Sequence, residues 1–428
     1  MVICSPSIHL LPDTSTYFCV MAQYFRKIIN DPVYGFITIR HPFIFELINH
    51  PAFQRLRRIS QLGLSHLVYP GAIHNRFQHA LGAMHLMQNA IDELRVRGVE
   101  ITVTEEEGLL AAILLHDIGH GPYSHALEHS IVGGVHHEDI SAGLMDQMNQ
   151  QMGGRLQTAI DIFNNAYPKP FMHSLVSSQL DMDRLDYLAR DSFFSGVVEG
   201  QVGSERIIKM MDVVDNQLVV EEKGIYSVEK FIVARRFMYW QVYLHKTVLS
   251  AEYMLVNTLR RAKELVDAGN ELWSTPALGF FLHNNFDKAG FFNHPDALKN
   301  FLQLDDQDVL SALKVWQHSS DFVLRTLSTM LVERKLFKIQ ILTEAPSAEL
   351  LENQIQKIAQ QHNISAHEAA YFVMTGEAAN RAYSQSGDII LIKMKNGQVL
   401  NAAEVSEHLS LAPITREVRK WFLAGPRA

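Results

Sequence analysis

Apolar residues spaced three and four positions apart dominate the chain to about residue 330 and predict a mainly α-helical fold. The clearest predicted helix follows Asn75, a residue type that commonly caps helices, and it ends near Arg97. Its apolar positions are Phe77, Leu81, Met84, Met87, Ile91 and Leu94. A second helix is predicted from a capping box at residues 104–107 to His116 and Asp117, where a segment rich in glycine and proline ends it.

Two further helices are predicted before residue 330. One starts at about residue 177 and places Asp183, Tyr187 and Asp191 on one face, because these residues are spaced four positions apart. The other covers residues 228–266. Polar side chains on the first of these helices can therefore line a common surface.

Strand-like patterns are shorter and concentrate near the C-terminus. Residues 213–220 predict a hairpin with Asp-Asn in its turn. Residues 337–342 alternate as a strand does, residues 388–394 form a short β-branched apolar run, and a predicted helix covers residues 347–361 between them. The C-terminal part is therefore expected to be a small α+β region.

These patterns predict three parts. Residues 1–20 lack clear periodicity and are interpreted as an N-terminal extension, with both Met1 and Met21 open as the start. Residues 21–330 form the predicted helical core, and residues 331–428 form the predicted α+β region.

Composition is typical of a globular protein and narrows the function classes. The chain has 428 residues, 47% of them hydrophobic, and a net charge of −8, which argues against nucleic acid as a partner of the whole chain. Cys4 and Cys19 are the only cysteines, which fits a reducing, cytoplasmic location. No apolar run approaches the ~20 residues that span a bilayer, so no membrane partner is expected.

Candidate metal ligands lie in three separate segments. They are His79, His116, Asp117 and Asp183, which together offer two imidazoles and two carboxylates. This mixed nitrogen and oxygen set suits a divalent transition metal with water in its open positions. Such an ion with acid–base groups nearby is typical of a hydrolase.

Further histidines and several cations surround these segments. His120, His125 and His129 follow the second predicted helix, and His137 comes shortly after. Imidazoles suit proton transfer to a leaving oxygen or the orientation of an attacking water. Candidate phosphate-binding cations are Arg76, Arg184, Arg235 and Lys246. There is no glycine-rich phosphate loop, so side chains and a metal would have to hold any phosphates.

The same segments resemble the HD-domain phosphohydrolases, and within them the deoxynucleoside triphosphate triphosphohydrolase branch. The matching stretches are residues 29–35, 53–63, 69–71, 74–79, 116–125 and 183–191. The resemblance covers roughly residues 27–250 and implies that the helical core is an HD domain. The C-terminal α+β region matches more loosely.

The resemblance implies a role for each motif residue. His79, His116, Asp117 and Asp183 would bind iron, manganese or zinc, with magnesium on the substrate phosphates. His120 and His137 would flank the α-phosphate and the attacking water, and His125, oriented by Glu128, would be the acid–base group at the leaving 5′-oxygen. The phosphates would be held by Arg76, Arg184 and Arg235, with Tyr187 beside them. The 3′-hydroxyl would be bound by Gln61 and Asp191. The 2′ carbon would be in close contact with Leu62 and Tyr243.

The resemblance also implies regulation and assembly. An activating nucleotide would bind at Asn49, Gln54 and Arg57, and relaxed guanine preference is expected because Asn49 stands where the mammalian member of the family has Asp. Other departures from that member are Glu128 for Asp, Arg184 for Lys and Tyr239 for His. A homodimer or homotetramer is expected.

Two other functions compete with the expected hydrolysis of deoxynucleoside triphosphates. An HD-domain nucleotidase or phosphodiesterase would keep the metal site but not the sugar pocket, and the sugar-pocket residues Gln61 and Tyr243 argue against it. A non-catalytic nucleotide-sensing or nucleic-acid-binding module would need neither the complete ligand set nor His125.

Overall fold

A computed structural model describes residues 25–123, 134–380, 388–406 and 418–426. Helices predominate among these residues, as the sequence predicted. Their bounds are α1 Pro42–Asn49, α2 Pro51–Gln54, α3 Arg76–Val96, α4 Val103–Leu115, α5 His137–Gln151, α6 Gln157–Phe163, α7 Pro170–Val176, α8 Met182–Ser195, α9 Ser204–Lys209, α10 Ile225–Met238, α11 Lys246–Asp267, α12 Pro276–His283, α13 Lys288–Asn293, α14 Ala297–Phe301, α15 Asp306–Trp316, α16 Phe322–Val332, α17 Ala348–His362, α18 Ala366–Ala370 and α19 Ala402–Val405. No described helix has the length and apolar character needed to cross a membrane.

Three small sheets accompany the helices in the part of the chain that the structure describes. Their strands are β1 Lys27–Asp31, β2 Gly35–Ile39, β3 Met211–Val214, β4 Gln217–Glu221, β5 Lys338–Leu342, β6 Met374–Asn380, β7 Leu391–Lys393, β8 Val399–Asn401 and β9 Val418–Gly425. The sheets have the orders β1-β2, β3-β4-β7-β8 and β5-β9-β6, and only the β4-β7 pair is parallel. The second sheet joins strands from both sides of residue 330, and the proposed boundary there stays a prediction.

The apolar faces of the central helices pack together, and this packing brings the motif residues on different helices close to one another. Helix α3 packs against α4 and α8, and the three helices bury most of their aliphatic side chains in one continuous core. The Asn75 side chain caps α3 by accepting from the Gln78 amide, while the Gln78 side chain accepts from the Asn75 amide. The predicted start and end of this helix are confirmed.

The start of α4 differs from its prediction. The capping box is formed by Thr102 and Glu105, not by the segment 104–107, so the helix begins two residues earlier, at Val103. Threonine stands at both positions 102 and 104 and is followed by several glutamates. Thr102 with Glu105 and Thr104 with Glu107 both have the spacing of three that defines a capping box, so the sequence alone does not distinguish them.

The start of α8 was also predicted too early. Asp181 is the N-cap and its side chain accepts from the Arg184 amide, so the helix begins at Met182 and not near residue 177. The predicted common face is confirmed in one respect, since Asp183, Tyr187 and Asp191 all line the same cavity.

The predicted helix over residues 228–266 is wrong in its continuity. Helix α10 ends at Met238, a π-helical turn follows over Tyr239–Tyr243, and α11 begins at Lys246 with His245 as its N-cap. No glycine or proline marks this interruption. The predicted hairpin is confirmed as β3-β4, with Asp215 and Asn216 both at positive φ in its turn.

Candidate metal centre and substrate cavity

Three predicted metal ligands from three helical segments converge on one point. His79 lies on α3, His116 caps the end of α4, and Asp183 lies in the first turn of α8. Their ligand atoms all lie within 4.8 Å of one another. Asp183 Oδ1 is 3.0 Å from His79 Nε2 and 3.4 Å from His116 Nε2.

Hydrogen bonds on the far side of each ring fix the orientation of the two imidazoles. His79 Nδ1 lies 2.8 Å from Asp186 Oδ2, and His116 Nδ1 lies 2.6 Å from the carbonyl oxygen of Ile113. Because both partners are acceptors, each Nδ1 carries the proton and donates it. In the neutral form of each ring, Nε2 therefore presents its lone pair to the cluster, as a metal-ligating histidine does.

The cluster meets the requirements of a cation site. Nε2 of His79 and Nε2 of His116 are buried and have no hydrogen-bond partner among the described residues. The lone pairs of both nitrogens then face Asp183 Oδ1, an arrangement that a positive ion between them would stabilise. The residues present therefore fit a divalent transition metal.

The electrostatics of the cluster also favour positive charge. Burial lowers the pKa of His79, but Asp183 and Asp186 outweigh that effect and raise it to about 10. Burial likewise opposes the charged form of His116, while Asp117 and Asp183 raise its pKa to about 8. The negative field of the carboxylates that raises these pKa values would also attract a metal ion.

Asp117, the fourth predicted ligand, lies between the metal cluster and a second group of side chains. Its Oδ2 is 3.8 Å from His79 Nε2, and its Oδ1 is 3.4 Å from His116 Nε2 and 3.3 Å from His120 Nε2. Ligand atoms of Asp117, His120 and His137 also lie within 4.8 Å of one another. The carboxylate of Asp117 can thus face a metal and contact the histidine pair at the same time.

His120 and His137 form that pair. Their rings stack with centroids 3.8 Å apart and an interplanar angle of 19°. Burial and the neighbouring Arg76 guanidinium hold the pKa of His120 well below its usual value, so its imidazole is neutral at neutral pH. A neutral imidazole can both accept and donate a hydrogen bond.

A buried ion network behind His79 was not predicted from the sequence. Asp186 Oδ2 accepts from Arg190 Nε at 3.0 Å, and Arg190 Nη1 donates to Asp31 Oδ2 at 2.8 Å. All three side chains are almost completely buried. A Cβ atom at Gly82 on α3 would lie only 2.0 Å from Asp186 Oδ1, so the close approach of this network requires glycine there.

One cavity of about 590 Å³ opens beside the cluster and collects most of the predicted site residues. Those that line it are Gln61, Leu62, Arg76, His116, Asp117, His120, His137, Asp183, Arg184, Tyr187, Asp191 and Tyr243. Tyr239 and Glu252, to which the sequence assigned no role, line it as well. The volume lies in the range of small-molecule sites.

Asp191 and Tyr243 line the same cavity as the metal cluster and contact each other. The Tyr243 hydroxyl donates to Asp191 Oδ2 at 2.8 Å, and His74 Nε2 lies 2.7 Å from Asp191 Oδ1. Burial and the Asp191 charge raise the pKa of Tyr243 well above its usual value. Both contacts hold Asp191 and the Tyr243 ring in place, and His74 is a supporting residue that the sequence motifs did not single out.

Two of the three predicted phosphate-binding arginines line the cavity, and the third does not. Arg76 contacts Asp117 Oδ2, and Arg184 Nη1 lies 3.4 Å from the buried Asp181 Oδ2, so both cations stand at the cavity beside the cluster. Arg235 lies against Tyr239, with its guanidinium 5.9 Å from the ring centroid, and is not among the described residues that line the cavity.

Five predicted residues remain, of which two are outside the described part of the chain. His125 and Glu128 fall outside the described residues. Asn49 donates to the Phe45 carbonyl of its own helix, and Gln54 Oε1 accepts from Arg57 Nε at 2.9 Å. None of the three proposed activator residues, Asn49, Gln54 and Arg57, is among the described residues that line the cavity.

Comparison with known proteins identifies the helical core as an HD domain. A family model of the HD domain matches residues 76–216, and a model of the HD-associated region matches residues 202–272. The crystal structure of a phosphohydrolase from Bacteroides thetaiotaomicron is 52% identical, with a TM-score of 0.92 over 94% of this chain and 100% of that one. The uncharacterized protein YwfO of Bacillus subtilis is 36% identical over 320 residues, which are 73% of this chain and 71% of that protein.

A relative with a more specific name matches a shorter segment. The Dictyostelium discoideum homolog of the deoxynucleoside triphosphate triphosphohydrolase SAMHD1 is 31% identical over 265 residues, 58% of this chain and 51% of that protein. The match therefore spans about half the length of this relative.

The helical core and its cluster of histidines and aspartates are those of a metal-dependent phosphohydrolase. This chain belongs to the HD-domain phosphohydrolase family and is an enzyme of that class.

Proposed function

We propose that this enzyme hydrolyses deoxynucleoside triphosphates to deoxynucleoside and triphosphate. One observation carries the proposal: the same cavity is lined by residues of the metal-binding cluster and by the hydrogen-bonded Asp191–Tyr243 pair. A general phosphatase needs the first feature but not the second. The name of the Dictyostelium relative supports the same substrate class.

His79, His116, Asp117 and Asp183 would hold the metal ion, which we propose to be iron, manganese or zinc. When bound, the ion would act as a Lewis acid and lower the pKa of a water molecule. Arg76 and Arg184 would bind the phosphates, with magnesium on the phosphate chain. Arginine suits this role because its planar guanidinium can make two parallel hydrogen bonds. Arg235 and Tyr187 would complete the phosphate site.

The stacked His120 and His137 would position the α-phosphate and the attacking water. His120 is neutral at neutral pH and can therefore accept a hydrogen bond from that water. His125, supported by Glu128, would give a proton to the leaving 5′-oxygen.

The sugar would lie between Asp191 and Leu62. Gln61 and Asp191 would bind the 3′-hydroxyl; each oxygen of Asp191 already accepts one hydrogen bond and has a lone pair left for another. Leu62 and the Tyr243 ring would occupy the space that a 2′-hydroxyl needs. The hydrogen bond to Asp191 makes the ring a rigid wall.

Regulation and assembly form a further part of the proposal. An activating nucleotide would bind at Asn49, Gln54 and Arg57, and the enzyme would be a cytoplasmic homodimer or homotetramer. Its catalytic HD core would cover residues 21–330, and residues 331–428 would form a small C-terminal α+β region.

A substrate panel tests the proposed reaction. The metal-loaded enzyme is assayed with dATP, ATP, dAMP and bis(p-nitrophenyl) phosphate, and Asp183→Ala serves as the control that lacks a metal ligand. We expect the wild-type enzyme to hydrolyse dATP faster than the other three compounds, and we expect Asp183→Ala to lose this activity. Preference for the diester or for dAMP would contradict the proposal and indicate another HD-domain reaction.

A further inference from the structure

Asp306, the first residue of α15, hydrogen-bonds two distant backbone segments. Its Oδ2 accepts from the Ser60 amide at 2.8 Å, and its Oδ1 accepts from the Tyr123 amide at 2.8 Å. The side chain is buried and does not line the substrate cavity. Ser60 and Tyr123 are each a few residues from groups that do line it.

The first of these segments leads directly to Gln61, which lines the cavity. Ser60 pairs with Asn75 in an isolated antiparallel bridge, and the Gln61 amide donates to the His74 carbonyl at 3.1 Å. Asn75 also caps the helix that carries Arg76. The Ser60 amide therefore anchors one wall of the cavity.

The second segment carries His120 and is under local strain. Tyr123 has a φ of 51°, a left-handed conformation that is rare for a bulky aromatic residue. Such a conformation costs on the order of 1–3 kcal/mol and persists only where surrounding contacts hold it. The Asp306 carboxylate supplies one such contact. The backbones of Gly63 and Tyr123 also lie close together, since a Cβ atom at Gly63 would be 3.3 Å from the Tyr123 carbonyl oxygen.

Arg55 holds the same segment from the other side. It is fully buried, and its Nη1 donates to the His120 carbonyl at 2.8 Å while its Nε donates to the Leu304 carbonyl at 2.8 Å. Burial lowers the pKa of Arg55 to about 10, so the guanidinium is charged at neutral pH. Its charge lies near those of Asp305 and Asp306.

We propose that Asp306 and Arg55 are positioning residues that fix the backbone of residues 120–123 against the Ser60 wall and thereby place His120 for catalysis. This inference rests on the proposed role of His120 at the phosphate. Neither residue contacts the substrate cavity, so each acts through the backbone it holds.

The chemistry of the Asp306 carboxylate explains why aspartate is required. Two backbone N–H groups point at its two oxygens, and both groups need an acceptor. An asparagine in the same place offers one oxygen and an NH₂ group, so one backbone amide would face another donor. A misplacement of about 1 Å at a catalytic group can lower a rate by about 10²-fold.

Asp306→Asn tests the proposal, with Asp305→Asn as the matched control. Asp305 lies one residue earlier, loses the same charge, and as asparagine would still cap α15; its ion-pair partner Arg58 is half exposed. We expect kcat of Asp306→Asn to fall about 10- to 100-fold with KM and metal content nearly unchanged. The control should stay within about twofold of the wild type.

A double variant of Asp306 and His120 distinguishes a positioning role of Asp306 from a general effect on stability. If Asp306 acts through His120, adding Asp306→Asn to His120→Ala should cost little further in single-turnover rate. The losses would instead multiply if Asp306 only stabilised the fold. Multiplying losses, or a kcat of Asp306→Asn equal to that of the control, would overturn the proposal.

Hydrogen exchange gives a readout that does not depend on the substrate. Peptides containing Ser60 or Tyr123 should exchange faster in Asp306→Asn than in the wild type and in Asp305→Asn. If dATP proves not to be the substrate, hydrogen exchange still shows whether Asp306 holds the two backbone segments. The rates are then compared with whichever phosphate ester in the panel is hydrolysed. Unchanged exchange in both peptides would overturn the proposal on its own.

Discussion

The Nδ1 atom of His79 lies 2.8 Å from Asp186 Oδ2, and Asp186 is held in turn by Arg190. This contact fixes which nitrogen of His79 faces the cluster. The orientation of a metal-ligating imidazole depends on such a partner, and removing the partner typically weakens metal affinity about 10- to 100-fold.

Asp186→Asn should therefore lower the metal affinity about 10- to 100-fold, because the amide is a weaker acceptor for the His79 Nδ1 proton. Asp31→Asn is the matched control, since it removes the other carboxylate from Arg190 without touching His79. Both variants should lose stability, because each leaves Arg190 with one partner. Metal titration followed by elemental analysis checks the difference, and equal metal affinities in the two variants would contradict the role of Asp186.

Tyr243 should determine the preference for deoxyribose. An apolar pocket rejects an added hydroxyl by roughly 10², so the ratio of kcat/KM for dATP over ATP should be at least of that order in the wild type. Tyr243→Ala and Leu62→Ala should reduce the ratio. Tyr243→Phe should fall between wild type and Tyr243→Ala, because the ring remains but its hydrogen bond to Asp191 is lost. Equal rates with both sugars in the wild type would refute the proposed sugar pocket.

His125→Ala should lower kcat by about 10²–10⁴-fold while the metal remains bound, as expected for loss of an acid–base group. His129→Ala, four residues further along the chain, is the control and should keep most of the activity. Near-normal turnover of His125→Ala, with metal content measured in the same sample, would remove His125 from the mechanism.

The His41–Glu106 pair should make stability depend on pH. Hydrogen bonds to Glu106 and Glu107 raise the pKa of His41 to about 9. A raised pKa in the folded state means that the stabilisation is complete below the ordinary value of about 6.5 and is lost as the pH rises through about 9. Since the ring is partly hydrated, the contribution is on the order of 1–2 kcal/mol.

Urea unfolding of His41→Gln at pH 6 and pH 9.5 measures that contribution. The free energy of unfolding should fall below the wild-type value at pH 6, and the difference should shrink at pH 9.5. His318→Gln, at an exposed position, should show no such change with pH. A difference that stays constant between the two pH values would contradict the proposed ion pair.

The sequence predicted correctly a helix start and a turn that are each set by residues close together along the chain. Asn75 with Gln78 defined the start of α3, and Asp215-Asn216 defined the hairpin turn, because caps and turns are set within a few residues. The interruption at Tyr239–Tyr243 could not be predicted in this way. It has no helix-breaking residue and is part of the cavity wall, so tertiary contacts determine it.

The same distinction applies to the site. The ligand segments were recognisable because each carries histidine or aspartate in a known motif. Asp186 and Arg190 have the spacing of a helical ion pair, but nothing along the chain indicates that they face His79 on another helix. Asp306 is still more remote, since it contacts Ser60 and Tyr123 from 246 and 183 residues away.

The products formed from dATP in ¹⁸O-labelled water test the central claim most directly. Phosphorus NMR of the metal-loaded enzyme's reaction should show triphosphate as the product, with the label in a terminal group of the triphosphate and none in the deoxyadenosine. That result follows from attack on the α-phosphorus and departure of the 5′-oxygen. Release of orthophosphate or diphosphate in place of triphosphate would contradict the account.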